Sequence, residues 1–239
     1  LDLGRVTGII LTHEHGDHTA GAARLARTLG VPILTSPGTW ERLRPRMPTA
    51  QFVPLAIMGG VRHGAFHIEA CLISHDAAEP VAVSIRTTAG HRIGIAYDLG
   101  RPTTAVRFLL RDSHALIVEA NHDEIRLRTS SYPPVVQQRI ASSSGHLSNR
   151  AAAELLTELV HPGLGTIVLA HLSERCNTEA EARAERLTVR LHRLPDCRVA
   201  GVVVDHHDLV VGVVETGERI KCAFHHLRGL VVGRDMHRD

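Results

Sequence analysis

Short apolar runs, each closed by a polar loop, set the rhythm of this chain. Gly8-Ile9-Ile10-Leu11 reads as a buried strand, and Thr19 to Leu29 behind it as a helix that Gly30 and Pro32 stop. Val31 to Thr35 reads as the next strand, followed by an arginine-rich segment, Trp40 to Met47, that Pro48 closes. Phe66 to Ile73 alternates as a strand should. Val81 to Ile85 and Ile93 to Ala96 make two more, joined through a turn at Ala89-Gly90-His91, and Ala115 to Val118 makes another. Tyr132 to Ser144 reads as a helix running into a loop. Ser148 then caps a helix whose apolar positions, Ala152, Leu155, Leu156 and Leu159, fall on one face. Thr166 to Ala170 is a buried strand. Thr178 and Glu181 form a capping box for a helix expected to reach about Leu191. Beyond Pro195 the chain turns valine-rich around Asp205-His206-His207-Asp208, which predicts a hairpin over Val202 to Val214. Strands and helices in this alternation define an α/β protein.

The loops that close the strands carry the chemistry. Thr12-His13-Glu14-His15-Gly16-Asp17-His18 places three imidazoles and the Asp17 carboxylate in one strand-to-helix loop. Neutral imidazole with carboxylate suits zinc, manganese or ferrous iron and requires no thiolate. His75 follows the strand that ends at Ile73, Asp98 follows the one that ends at Ala96, and His171 follows Ala170. A two-metal hydrolase needs such a set. His13, His15 and His75 are expected at one metal and Asp17, His18 and His171 at the other, with Asp98 bridging. Two cations roughly 3.5–4 Å apart can share a hydroxide as nucleophile and clamp the attacking and leaving oxygens of a displacement. Plainer readings compete at single positions. His75 and Asp98 could be turn residues, and His171 a buried histidine satisfied by hydrogen bonds.

Composition narrows the class less than the motifs do. The chain has 239 residues, enough for one large domain with a substantial core. It carries 27 basic against 25 acidic residues, so net charge selects no partner. Lys221 is its single lysine. Arginine's planar fork suits phosphate, but genomic base composition produces the same bias. The 18 histidines weigh more, imidazole being the commonest metal ligand. Cys71, Cys176, Cys197 and Cys222 lie far apart without a CxxC pair, which argues for reduced thiols in a cytoplasmic protein. No stretch reads as a signal peptide or a membrane span, so no membrane partner is expected.

The order HxHxDH, His75, Asp98, His171 resembles the metallo-β-lactamase fold superfamily. Within it, Ser74-His75-Asp76-Ala77-Ala78-Glu79-Pro80, Glu119-Ala120-Asn121-His122-Asp123, Gly145-His146-Leu147-Ser148-Asn149 and Ala170-His171-Leu172-Ser173-Glu174 resemble the YycJ/WalJ-type nucleases and, more distantly, tRNase Z. The resemblance spans about Val6 to Leu191. It implies a four-layer αββα sandwich with a dinuclear site, holding zinc or manganese, at one edge. It implies phosphodiester hydrolysis on nucleic acid, DNA ahead of RNA, by 5′-to-3′ exonuclease action. It gives His146 the role of contacting phosphate and helping proton transfer, and Glu119 that of orienting a histidine. Asp17, His146 and Glu119 are thus the catalytic candidates beside the metal ligands.

The departures shape the remaining expectations. The family opens with strands and a Gly/Ser/Asn-rich loop ahead of HxHxDH. This sequence begins almost on that motif, so the fold is expected to be truncated at its amino terminus and to leave an edge open. Ala120 stands where close relatives carry serine. Residues 1–194 are expected to form the hydrolase domain and 195–239 a divergent strand hairpin and tail of the same domain, able to occupy an edge. The His206-His207 and His225-His226 pairs read as loop histidines. Two other functions stay open. One is a small-molecule ester, lactone or thioester hydrolase on the same fold, which would not need the Glu119 and His146 motifs. The other is a non-catalytic remnant, which the intact ligand set disfavours.

Overall fold

The structure is a computed structural model that describes residues 3–184 and, beyond them, the backbone of strands at 198–201, 210–214 and 221–225. In chain order the elements are β1 (Val6–Ile10), α1 (Gly16–Thr19), α2 (Ala22–Leu29), β2 (Ile33–Thr35), α3 (Pro37–Leu43), β3 (Phe52–Pro54), β4 (Gly60–His63), β5 (Phe66–Leu72), β6 (Val81–Thr87) and β7 (Arg92–Ala96). There follow α4 (Thr104–Leu110), β8 (Ala115–Glu119), α5 (Glu124–Thr129), α6 (Pro134–Ile140), α7 (Asn149–Leu159), β9 (Thr166–Ala170), α8 (Glu179–Ala184), β10 (Arg198–Gly201), β11 (Val210–Val214) and β12 (Lys221–His225).

The strands form two mixed sheets. One has the order β12-β11-β1-β2-β3 and the other β10-β9-β8-β7-β6-β5-β4. Alternation along each strand decides what each sheet faces. On β1 and β2, Ile9 and Ile33 pack with Ala22, Ala26 and Leu43 of the first helices. Their neighbours Ile10 and Leu34 join Ile68, Ile85, Ile95 and Ile117 of the second sheet. On the far face of that sheet, Ala96, Leu116, Val118 and Leu169 pack against Val106 and Leu110 of α4 and Leu155 and Leu156 of α7. The order is therefore helices, sheet, sheet, helices. Leu155 and Leu156 are fully buried, and each contributes roughly 1.5–3 kcal/mol relative to exposure.

The first helix departs from expectation. Thr19 to Leu29 divides into α1 and α2 around Ala20-Gly21, so the turn that carries Asp17 and His18 is its own short helix. Ser148 does cap α7, accepting the Ala151 N–H, and Thr178 accepts the Glu181 N–H at the start of α8. Residues 185–191 of the helix expected to reach Leu191 lie outside the described residues. Of the hairpin expected over Val202 to Val214, residues 202–209 lie outside the described residues. β10 lies parallel to β9 in the second sheet, whereas β11 runs antiparallel to both β1 and β12 in the first. Valine alternation specifies a strand without specifying its partner. The Asp205–Asp208 segment and the side chains of the tail histidines lie outside the described residues.

β5, β7, β8 and β9 run in one direction: β6 is antiparallel to both β5 and β7, and β8 and β9 extend β7 in parallel. Their carboxyl ends therefore share one edge. The loop after β1 reaches the same edge from the other sheet, where Thr12 accepts the Val81 N–H at 3.0 Å.

Candidate metal centre

Five strand ends deliver the predicted side chains to that edge. His13, His15, Asp17 and His18 come from the loop after β1 and from α1, His75 from beyond β5, and Asp98 from beyond β7. Glu119 is the last residue of β8, and His171 is the first after β9. Asp98 and His171 both have positive φ, 53° and 57°. That conformation is costly for residues other than glycine. Here it turns each side chain back across the edge.

The fold brings all of these residues together. His13 Nε2 lies 3.1 Å from His15 Nδ1, and His75 Nε2 lies 3.3 Å from the same atom. Asp98 Oδ2 lies 3.2 Å from His13 Nε2 and 2.6 Å from His18 Nε2. Asp17 Oδ2 lies 3.3 Å from His18 Nε2 and 3.9 Å from His171 Nε2. A tetrahedral site with bonds of about 2.0–2.1 Å spaces its ligand atoms about 3.3 Å apart. The distances in the two groups scatter around that spacing, from 2.6 to 3.9 Å, and Asp98 Oδ2 lies beside one histidine of each.

The donors also fit a cation by what they leave unsatisfied. His18 Nε2 and Asp98 Oδ1 are buried without a hydrogen-bond partner, although charged atoms stand close to both. The approach lacks hydrogen-bond alignment, so these groups do not satisfy one another. Buried polar atoms left in that condition are rare unless they ligate something.

Glu119 holds the second layer in place. It is fully buried. Its Oε2 accepts the Leu99 N–H at 2.7 Å and the Leu147 N–H at 3.0 Å. Its Oε1 lies 2.8 Å from both His146 Nδ1 and His171 Nδ1. One carboxylate thus ties the Asp98, His146 and His171 loops together and turns Nε2 of His171 toward Asp17. His146 stands at the rim with its side chain 24% exposed, and its Nδ1 is 3.2 Å from Asp98 Oδ1. The His146 loop sits tight against its neighbours. A Cβ at Gly145 would overlap the Arg139 and Ile140 carbonyls, and one at Gly100 would overlap Ser143.

Protonation divides the cluster. Burial pushes His13 down to about 2, with the neighbouring imidazoles adding to the effect, and burial likewise lowers His75. Burial would also lower His18 and His146, but carboxylates outweigh it and raise each to about 9, Asp98 acting on the first and Glu119 on the second. His171 is raised in the same way, chiefly by Asp98. Burial works against ionised Glu119 too, yet the His146 and His171 imidazoles hold it at about 2.

Several contributors were not visible as functional in the sequence. Tyr97 is fully buried and stacks on the His18 ring at 5.3 Å. Thr12 Oγ1 lies 3.1 Å from His13 Nδ1. Asn121 Nδ2 donates to the His171 carbonyl at 3.0 Å. Tyr97 and Asn121 carry no local mark, because each acts across the gap between strand ends.

Residues 1–172 match the family model described as the beta-lactamase superfamily domain. The chain is 32% identical over 186 residues to Exodeoxyribonuclease YycJ of Bacillus anthracis, covering 77% of this chain and 70% of that protein. It is 29% identical over 174 residues to Exodeoxyribonuclease WalJ of Streptococcus pneumoniae serotype 2, covering 71% of this chain and 64% of that one. Among solved structures, the metallo-beta-lactamase fold protein YhfI from Bacillus subtilis superposes with a TM-score of 0.62 at 19% identity, covering 88% of this chain and 79% of the other. Human tRNase Z, short form, superposes at 0.56 and 17% identity, covering 90% and 82%. The chain belongs to the beta-lactamase superfamily, as one of its metal-dependent hydrolases. Its His, Asp and Glu clusters are sites for divalent metal. Among the described residues no helix is long and apolar enough to cross a membrane.

Proposed function

We propose that this chain is a dinuclear phosphodiesterase acting on nucleic acid, DNA ahead of RNA, that removes nucleotides from a 5′ end. One observation carries the reading. Beside the two overlapping ligand clusters stands an imidazole that joins neither triad, His146, held through Nδ1 by Glu119 and Asp98. A sugar oxygen leaves poorly unless it is protonated as its bond to phosphorus breaks, and His146 is the group placed at the rim to donate that proton. The two relatives named exodeoxyribonucleases support the same substrate.

In this reading His13, His15 and His75 would hold one ion and Asp17, His18 and His171 the other, with Asp98 shared between them. The ions are zinc or manganese. When bound, such a pair supplies an activated water and neutralises charge on the phosphate. Glu119 keeps His171 aimed at its ion and His146 aimed at the leaving oxygen.

The test is digestion of 5′- and 3′-labelled DNA and RNA by protein loaded with zinc or with manganese. Release of mononucleotides from the 5′ end of DNA is expected. Internal cuts or loss from the 3′ end would overturn the direction. Turnover of lactones or thioesters with nucleic acid left intact would overturn the substrate class.

The protonation pattern adds a prediction of its own. His13 and His75 are already neutral at pH 7, and Asp17 and Asp98 already ionised. His18 and His171 hold protons that a ligand must give up. Chelator-stripped protein should therefore take its first zinc with little proton release and its second with release of about two protons. Affinity for the second ion should rise with pH through about 9, where His18 loses its proton unaided, and go on rising until His171 is neutral as well. Calorimetric titration in buffers of different ionisation enthalpy reads the proton count for each step.

A further inference from the structure

The metal ligands form only one side of the pocket. The cavity measures about 300 Å³, and its other wall comes from the segment after α5, with Tyr132, Val136, Arg139 and Ile140 facing the histidines across it. That volume lies at the lower end for small-molecule clefts, enough for one nucleotide-sized group and too little for a length of duplex. α6 has no buried residue, and Val135 is 70% exposed.

Tyr132 is nevertheless fixed in place. The Gln137 side chain donates to the Tyr132 carbonyl at 2.9 Å and to the Ser130 carbonyl at 3.3 Å, clipping the loop to the first turn of α6. The Arg175 guanidinium lies 5.4 Å from the centre of the Tyr132 ring. A cation over one face and a pocket beside the ring make an aromatic surface suited to a flat, electron-rich partner. Arg139 is close by. Its tie to Asp76 is an exposed contact at 3.9 Å that a phosphate could replace.

We propose that Tyr132 is the stacking platform for the base of the nucleotide being removed, with Arg139 meeting its phosphate. This rests on the nuclease reading and adds a base-recognising subsite to it. Every base offers a π face, so the subsite tolerates any sequence but discriminates against a nucleotide that lacks its base.

The experiment uses the metal-loaded full chain. The variants are Tyr132→Phe, Tyr132→Leu and Arg139→Gln, each checked for metal content and thermal midpoint. Two readouts are taken: kcat/KM on DNA whose terminal nucleotide is intact or abasic, and the dissociation constant of thymidine monophosphate. Stacking losses on this scale predict that Tyr132→Leu lowers the intact-to-abasic preference about 5- to 150-fold and weakens thymidine monophosphate comparably. Tyr132→Phe should restore both. Arg139→Gln should weaken thymidine monophosphate and leave thymidine itself bound as before. If the wild type cleaves DNA and Tyr132→Leu changes neither readout, the subsite is wrong and the nuclease reading stands. If the wild type cleaves no nucleic acid yet binds thymidine monophosphate through Tyr132, the nuclease reading falls and the subsite stands. If it neither cleaves nor binds, both fall.

Discussion

Replacing Asp98 with alanine is expected to empty the metal centre and lower hydrolysis by on the order of 10³-fold or more, since the change removes charge stabilisation worth several kcal/mol. The size follows from position. Asp98 is fully buried, and its Oδ2 lies within 3.2 Å of His13 Nε2 and 2.6 Å of His18 Nε2. Its Oδ1 lies 3.0 Å from His171 Nδ1 and 3.2 Å from His146 Nδ1. Without that carboxylate, histidines that it helps keep protonated face one another with no charge between them, and a cation would find neither site complete. Asp98→Asn keeps the shape and should still lose most of the metal, because the amide carries no charge. Metal equivalents per chain, measured by elemental analysis alongside activity, decide the matter. Two equivalents retained by the alanine variant would show that Asp98 does not bridge.

His146→Ala should act differently. It is expected to leave metal content as it is and cut turnover roughly 10²–10⁴-fold, the span of a lost general acid. A nitrophenyl phosphodiester, whose leaving group needs little protonation, should lose much less than DNA. Equal losses on the two substrates would assign His146 a structural role. The pH profile carries a second check. His146 donates only while protonated, so turnover should fall as pH rises through its pKa. Burial lowers that pKa, yet Glu119 and Asp98 raise it to about 9, and bound metal ions would pull it lower again. Glu119→Gln removes the strongest of the raising influences and should move the basic limb toward acid. A limb that stays in place would detach His146 from the proton transfer.

Much of this molecule could be read from local pattern. Each apolar run from Gly8-Ile9-Ile10-Leu11 to Thr166–Ala170 specified a strand, because a strand buried on both faces needs a continuous hydrophobic stretch. Polar residues in the loops behind those runs stood out, since histidine and aspartate at a strand end have no packing role to explain them. The short elements were harder. α4, α5, β3 and β4 span 3 to 7 residues, too few for a periodicity to declare itself. α3 also starts on Pro37 behind the Ser36 cap, a start signal within a stretch whose apolar positions show no clear period.

The sequence by itself determined the residue types at the centre, their order and their places at strand ends. Only the tertiary structure decided which atoms meet. That Asp98 Oδ2 lies between His13 and His18, that Glu119 ties three loops with two oxygens, and that Tyr97 lies against His18 depend on strands far apart in the chain ending on one edge. So does the pairing of β11 with β1 rather than with β10. The reason is physical. Propensity and periodicity act over a few residues, whereas partners in a sheet and facing walls of a pocket are chosen by the closure of two sheets over one core, a choice that no segment makes alone.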